Sequence, residues 1–255
     1  MQDRALAGIE ALLADEGATF MAAALVVNDC ICDGFDRVET LRALERLSDR
    51  YDDRLTPWSF LRDEGFGGQS PVDVVQGSRI DALLETRSGL PITLAALVSH
   101  VAVSSGQKAE GINFPGHFLV RVGQALVDPF QMVTRSETDF LASLPEDVRQ
   151  GNPFVPARPS DILLRMFNNL KYHFAARAEF HRALEMLDCQ QRVLPDSSTL
   201  FFEQGEYWLR LGSVDGARTS FAQAVALGSD KQEDAAAAMA ERRLAELGDR
   251  QDTLH

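Results

Sequence analysis

Apolar residues recur at helical spacing through the first part of the chain. The pattern predicts three helices, over residues 2–15, 17–28 and 36–54. Asp36 is a residue type that caps helices and should begin the third, while Thr56-Pro57 should end that helix and open another short one. Residues 64–78 are rich in glycine and other turn formers, so we expect a loop there.

The pattern changes after residue 90. A helix is predicted from Pro91 to Ser104, because proline is favoured in the first turn of a helix and Gly106 follows its end. Strand-like runs come next, over residues 108–113, 117–122 and 125–128. Gly123-Gln124 is the right length for a two-residue hairpin turn between the last two runs. We therefore expect a helix at 91–104 followed by a small antiparallel sheet over 108–128.

The last hundred residues repeat with a period of 34. Matching residues are Phe167 and Phe201, Phe174 and Trp208, Ala178 and Gly212, and Leu187 and Phe221. Pro195 closes the first unit, and Ser229 stands where the second would carry its proline. This helix-turn-helix period resembles the tetratricopeptide repeat, in which Ala183 and Ala217 would let two helices approach closely.

Two repeats would run from about residue 164 to 229, with a capping helix over 232–247. An unrelated pair of helical hairpins is the alternative. The segment 151–160, with three prolines in ten residues, is expected to be a semi-rigid linker. The predicted organisation is thus a first domain over 1–150, a linker, and an all-α repeat domain over 161–250.

Composition narrows the classes of function. The 255-residue chain is 45% hydrophobic, so a packed core is expected, and its formal net charge is −13. A strongly acidic chain is a poor nucleic-acid binder and has little attraction for anionic membranes. The start lacks the pattern of a secretory signal, and the most apolar run, 20–27, is too short to span a bilayer. With three cysteines and no C-x-x-C pair, a cytoplasmic protein is expected.

Candidate chemistry lies on the predicted helix and sheet. His117 and Asp128 fall on neighbouring strands, downstream of a helix that starts near Pro91. This order suits a thiol hydrolase, in which a helix N-terminus stabilises a thiolate, a histidine accepts its proton and an aspartate orients the histidine. His117 and Asp128 could supply two ligands to a metal ion, but no third ligand stands at a recognisable spacing. Neither a metal nor another cofactor is therefore expected.

Three motifs carry a resemblance to a known family: R-S-G-L-P-I-T-L at 87–94, G-I-N-F-P-G-H-F-L-V-R at 111–121 and L-V-D-P-F at 126–130. They resemble the bacterial SirB-type transglutaminase-like family, as does M-F-N-N-L-K at 166–171. The resemblance covers roughly residues 35–245. It implies an α+β transglutaminase-like, papain-like domain followed by an all-α tetratricopeptide-repeat domain.

The resemblance also assigns the site residues. His117 and Asp128 match the family's histidine and aspartate, whereas the position of the catalytic cysteine falls on Pro91. Thr93 is the nearest hydroxyl, but it points about 200° around the helix from position 91. The candidate groove around the motif comprises Thr93, Asn113, Phe114, Phe118 and Arg121. Arg121 is expected to pair with Asp128 or an acidic ligand, or to be solvated.

The repeats suggest a second candidate surface, since the first helices of such repeats usually line a concave face that holds a peptide. The candidates there are Arg165, Asn168, Asn169, Tyr172, Phe202, Glu206 and Arg210. Arginine and asparagine side chains can grip a peptide backbone or a carboxylate. An interface with the first domain is the alternative role for Asn168 and Asn169.

Three functional hypotheses follow. The leading one is a non-catalytic protein-interaction or regulatory protein, with a protein or peptide as its partner. The second is an amide-bond hydrolase or acyl transferase that uses His117 and Asp128 with another nucleophile such as Thr93. The third is a structural scaffold in which His117 and Asp128 form a buried tie. The proline at position 91 favours the first hypothesis over an enzymatic function.

Overall fold

The computed structural model describes residues 2–69, 73–142, 144–149, 152–228 and 234–252. The chain divides into two compact units, Met1–Met166 and Phe167–His255. The division falls inside a helix, beyond the proline-rich segment expected to be the linker. That segment belongs to the first unit because Ala157 N donates to Gly111 O (2.7 Å) in the sheet.

Within its described residues, the first unit begins with six helices: α1 (Gln2–Ala14), α2 (Phe20–Ile31), α3 (Arg37–Ser48), α4 (Pro57–Asp63), α5 (Val74–Gly77) and α6 (Ile80–Thr86). The predicted starts of the third and fourth helices are confirmed. Asp36 accepts from Glu39 N at the start of α3, and Thr56 forms a capping box with Ser59 at the start of α4.

Two of these boundaries differ from the prediction. Helix α3 ends at Ser48 rather than 54, because the Asp52 carboxylate accepts from Arg54 N (3.0 Å) and this local turn competes with the helix. The expected loop at 64–78 contains α5, which Asp73 caps through Gln76 N (2.8 Å). Residues 70–72 of that loop lie outside the described part of the chain.

Helix α7 (Pro91–Ser104) spans the predicted residues and forms the centre of the unit. Its side chains are buried from Ile92 to Ser99, and it packs against α2, α4, β1 and β2. A helix that is apolar on all sides needs such enclosure. The small sheet that contains the predicted hairpin therefore packs on a buried helix.

The sheet is antiparallel with strand order β1-β2-β3-β4, comprising β1 (Ala109–Ile112), β2 (Leu119–Val122), β3 (Ala125–Asp128) and β4 (Val133–Thr134). Gly123, with a φ of 57°, turns the predicted hairpin between β2 and β3. The short β4 was not predicted. Two short helices follow, α8 (Glu137–Leu141) and α9 (Glu146–Arg149).

A buried amide fixes α6 against α2. Arg79 offers no side-chain cap at the start of α6; instead, Asn28 Oδ1 accepts from Ile80 N (2.8 Å). The Asn28 amide group also donates to Asp81 Oδ1 (2.6 Å). Asn28 is fully buried, so these bonds satisfy a side chain that would otherwise be costly in the core.

His100 makes the stability of the first unit depend on pH. Burial lowers its pKa from the ordinary 6.5, against the opposing effects of a hydrogen bond with the Leu44 backbone and the charge of Glu45. The unfolded chain therefore binds a proton more readily than the folded chain. We expect this contribution to be complete above pH 6.5 and to be lost as pH falls towards the lowered pKa. Urea unfolding from pH 7.5 to 5 should show a shallower decline for His100→Gln than for the wild type.

The second unit is entirely helical in its described part. Helix α10 (Pro159–Ala176) crosses the division between the units and is followed by α11 (Phe180–Val193), α12 (Ser198–Arg210), α13 (Val214–Gly228) and α14 (Ala235–Asp252). Helix α14 covers most of the expected capping helix. Ser229, with the start of that helix at 232–233, lies outside the described residues.

Matching features recur 34 residues apart in these helices. Ala178 and Gly212 both have positive φ, 58° and 78°, in the turns after α10 and α12. The next residue in each turn donates a backbone hydrogen bond to the residue five positions earlier: Glu179 N to Phe174 O and Ser213 N to Trp208 O, both at 2.9 Å. The two turns therefore have the same helix-ending geometry.

Ala178 carries a backbone strain that glycine would relieve. Left-handed backbone costs a non-glycine residue about 1–2 kcal/mol, although glycine also makes the unfolded chain more flexible. We expect Ala178→Gly to raise the free energy of unfolding by about 0.5–1 kcal/mol. Denaturant unfolding of this variant should be compared with Gly212→Ala, which should lower it.

Candidate functional site

The N-terminus of α7 is anchored to α5 through one carbonyl. Leu90 is the N-cap residue and Pro91 the first helical residue. Gly77 O accepts from Leu90 N (3.0 Å) and from Thr93 Oγ1 (2.6 Å). The first residue of this helix is thus a proline, which has neither a reactive group nor an N–H.

Thr93 is unsuited to act as the alternative nucleophile. Its side chain is fully buried and its hydroxyl already donates to Gly77 O, so the proton faces a core carbonyl. A nucleophilic hydroxyl must instead present its oxygen to substrate and its proton to a base. The expectation that Thr93 replaces the missing nucleophile, or lines a groove, is wrong for this physical reason.

Asp128, at the end of β3, holds the turn that leads to β4. Its Oδ1 accepts from Phe130 N (3.0 Å) and Gln131 N (3.3 Å), and its Oδ2 lies 3.9 Å from Arg135 Nε. The residue is only 8% exposed. A buried carboxylate that satisfies two backbone donors is a structural feature, and the turn reverses at Met132, whose φ is 53°.

His117 precedes β2 and is exposed. Its ring packs against the rings of Phe114 and Phe140, with centroids 6.2 and 5.8 Å apart, and its backbone N donates to Phe114 O (3.0 Å). Across the described chain, no hydrogen bond links the imidazole to Asp128. The expected buried tie between the two residues is therefore wrong, because Asp128 is occupied by its own turn.

Gly67 and Gly68, which lie in the loop expected at 64–78, connect the start of α7 to the turn after β3. Gly67 N donates to Arg87 O (3.0 Å) and Gly67 bridges Ser88, just ahead of α7. Gly68 N donates to Phe130 O (2.8 Å), just after Asp128. This segment therefore connects the region before α7 to the turn after β3.

The two glycines differ in the space available to a side chain. A Cβ on Gly68 would lie 2.1 Å from the Phe130 ring, whereas one on Gly67 would meet only Phe130 O at 3.8 Å. Phe130 is partly exposed and can shift, so we expect Gly68→Ala to cost about 1–2 kcal/mol. Gly67→Ala should leave the free energy of unfolding nearly unchanged. Thermal unfolding of the two variants measures both effects. Equal losses would contradict this packing.

The remaining groove candidates divide between core and surface. Phe114 and Phe118 are core residues, since Phe114 is fully buried and Phe118 packs on Phe20 at 5.3 Å. Asn113 is exposed. Arg121 pairs with Glu137 (2.8 Å) rather than with Asp128. Of the predicted groove residues, Phe114 lies against the His117 ring as a buried core residue, whereas Thr93 and Arg121 are bonded to Gly77 and Glu137.

Comparison with known proteins agrees with this architecture. The profile described as transglutaminase-like superfamily matches residues 42–168. The chain carries a transglutaminase-like domain. It is 30% identical over 156 residues to a UPF0162 protein of Xylella fastidiosa strain 9a5c, covering 56% of each chain. It is also 30% identical over 148 residues to a UPF0162 protein of Pseudomonas aeruginosa, covering 55% of this chain and 52% of the relative.

The chain spans about half the length of the curated relatives it matches. No solved structure matches it significantly. The transglutaminase-like domain contains the small antiparallel sheet, and the chain is otherwise mostly helical. Among the described residues, no cluster of three or more His, Cys, Asp or Glu could hold a metal ion. None of the helices in the same part of the chain has the length and apolar character needed to cross a membrane.

The candidate residues of the helical region also occupy different settings. Phe202 packs against the buried Phe221 at 5.7 Å, and Glu206 forms two hydrogen bonds with Arg243 of α14 (2.6 and 3.0 Å). Arg165 lies in the first unit, where it donates to Asn113 Oδ1 (3.5 Å). Phe202 and Glu206 thus hold the helices to one another.

The remaining candidates of the helical region, which are a tyrosine, an arginine and two asparagines, retain accessible polar groups. Tyr172 is 54% exposed, Arg210 is exposed, and Asn168 and Asn169 are half-buried. The pKa of Tyr172 is raised by burial and by the charge of Glu203, against a hydrogen bond with Asn168. These residues leave α10 and α12 with a polar surface that can contact a ligand.

Lys171 was missed by the sequence interpretation. It is 1% exposed and pairs with Glu203 of α12, with its ammonium 4.9 Å from the Tyr172 ring centroid. A buried lysine of this kind requires an acidic partner. Its equivalent 34 residues later is Gly205, so the repeat pattern indicated a position for a small residue rather than for an ion pair.

Proposed function

We propose that this chain is a non-catalytic protein-interaction or regulatory protein of the SirB type. In it, a transglutaminase-like domain without a nucleophile is followed by peptide-binding tetratricopeptide repeats. The observation that carries the proposal is the start of α7, where Pro91 stands at the position to which the family resemblance assigns the nucleophile, and the nearby Thr93 hydroxyl donates to Gly77 O. Cysteine chemistry at this site has no residue to perform it.

The assignment of repeats rests on matched geometry. Helices α11 and α13 begin at Phe180 and Val214, and helices α10 and α12 end at Ala176 and Arg210, each pair 34 residues apart. The buried Ala183 and Ala217 occupy equivalent positions on the second helices. Together with the matching turns at Ala178 and Gly212, these features support two tetratricopeptide repeats followed by α14 as the cap.

The proposed partner is a protein or an extended peptide in the bacterial cytoplasm. Tyr172 supplies an exposed ring, Asn168 an amide and Arg210 a cation, and these groups suit a peptide backbone and an acidic group. Glu206 and Phe202 are assigned to holding the helices rather than to binding. A net charge of −13 supports a partner other than nucleic acid.

Two measurements test this proposal. Purified wild type and His117→Ala should release no more product from amide and acyl-donor substrates than buffer does. Capture of a co-purifying protein by the intact chain should be weakened by Tyr172→Ala combined with Arg210→Ala and unaffected by His117→Ala. Turnover lost in His117→Ala, or capture lost only in that variant, would contradict the proposal.

A further inference from the structure

A segment after α9 lies along the outer edge of the sheet. β1 is the edge strand, paired only with β2 inside the sheet. On its other side Pro156 bridges Ile112 in antiparallel orientation, and Ala157 N donates to Gly111 O (2.7 Å). Residues 152–157, which we name the strap, thus occupy the position of an added strand.

One aromatic side chain anchors the strap. Phe154 is 9% exposed and packs on Phe114 with ring centroids 5.2 Å apart, in a cluster that includes Ile112, Leu119 and Phe140. Its neighbour Val155 is 55% exposed. The strap therefore holds to the sheet as a docked peptide does, with one side chain inserted and the next facing solvent.

The main chain of the strap contributes little to the attachment. Pro153 and Pro156 have no N–H, and Phe154 N donates to the Asn152 side chain (3.2 Å) rather than to β1. Ala157 is the strap residue whose amide donates to β1 in the described bonds. A cleft of about 330 Å³, lined in part by Pro115, Val148 and Val155, opens beside it.

From this arrangement we propose that the β1 edge is a peptide-docking site held closed in cis by the strap. The partner is an extended peptide that places an aromatic side chain against Phe114 and a backbone N–H opposite Gly111 O. The strap shows this chemistry because it is itself such a peptide. Since a tethered segment competes at an effective concentration of about millimolar, an external peptide displaces it only weakly in the intact chain.

The test uses a fluorescently labelled peptide with the sequence of residues 152–160, Asn-Pro-Phe-Val-Pro-Ala-Arg-Pro-Ser. Its binding is measured by anisotropy to the wild type, to Phe154→Ala, which vacates the aromatic position, and to Ala157→Pro, which removes the N–H donor and leaves the Phe154 side chain in the sequence. We expect Phe154→Ala to bind at least tenfold more tightly than the wild type, and Ala157→Pro to fall between them. The control is the same peptide with its phenylalanine replaced by alanine, which should not bind.

Circular dichroism and thermal unfolding establish that the variants fold. Ala157→Pro keeps the aromatic cluster intact, so it tests the inference even where Phe154→Ala unfolds. Peptide binding that is equal in the wild type and the folded variants would overturn the inference. Equal binding of the control peptide, or no binding to any folded variant, would overturn it as well.

Discussion

Replacing Asp128 with alanine is expected to lower the free energy of unfolding by about 2–3 kcal/mol. The carboxylate accepts hydrogen bonds from Phe130 N and Gln131 N in the turn after β3. Its removal leaves both N–H groups without this acceptor. The turn also presents Phe130 O to Gly68 N, so the loss should extend to the 66–68 segment. Urea denaturation with fluorescence detection measures the change.

Two variants serve as controls for Asp128. Asp128→Asn keeps an oxygen that can accept both amides, so its cost should be about 1 kcal/mol or less. His117→Ala removes an exposed side chain and should change stability by less than about 0.5 kcal/mol. A His117 variant that loses as much stability as Asp128→Ala would contradict the assigned roles.

Gly205→Ala should lower stability by about 2–3 kcal/mol, although alanine is the better helix former. A Cβ at this position in α12 would lie 2.4 Å from the Phe221 ring. Phe221 is fully buried and its ring also packs on Phe202, so it has no exposed position to move into. The two helices would have to separate, with loss of their packing.

The same substitution in α14 provides a matched control. Gly248 is exposed and a Cβ there would meet nothing within 4 Å, so Gly248→Ala should stabilise the chain by up to about 1 kcal/mol. Thermal unfolding of both variants should therefore give shifts of opposite sign. A neutral or stabilising Gly205→Ala would show that α12 and α13 do not approach as closely as described.

Local patterns were enough to predict much of the fold. Helix α7 followed from an apolar run begun by Pro91, and the β2–β3 hairpin followed from two short apolar runs around Gly123-Gln124. The cap at Asp36 depends on residues three positions apart, which a sequence shows directly. These features are encoded within a few residues, so tertiary contacts did not have to be known.

The candidate site was harder because its interactions are long-range. The Thr93 hydroxyl finds its acceptor 16 residues earlier, at Gly77 O, and Lys171 finds Glu203 on another helix. For Asp128 a local signal did exist: an aspartate followed by proline favours a turn in which the side chain accepts backbone amides. The family resemblance predicted a place in a catalytic triad for Asp128 instead of a role in that turn.

A double-mutant cycle between His117 and Asp128 tests the central claim most directly. Unfolding free energies of the wild type, His117→Ala, Asp128→Ala and the double variant give the coupling between the two side chains. If Asp128 serves its own turn and His117 lies apart from it, the coupling should be below about 0.3 kcal/mol. A coupling above about 1 kcal/mol would show that the two residues act as a pair, and would contradict the account.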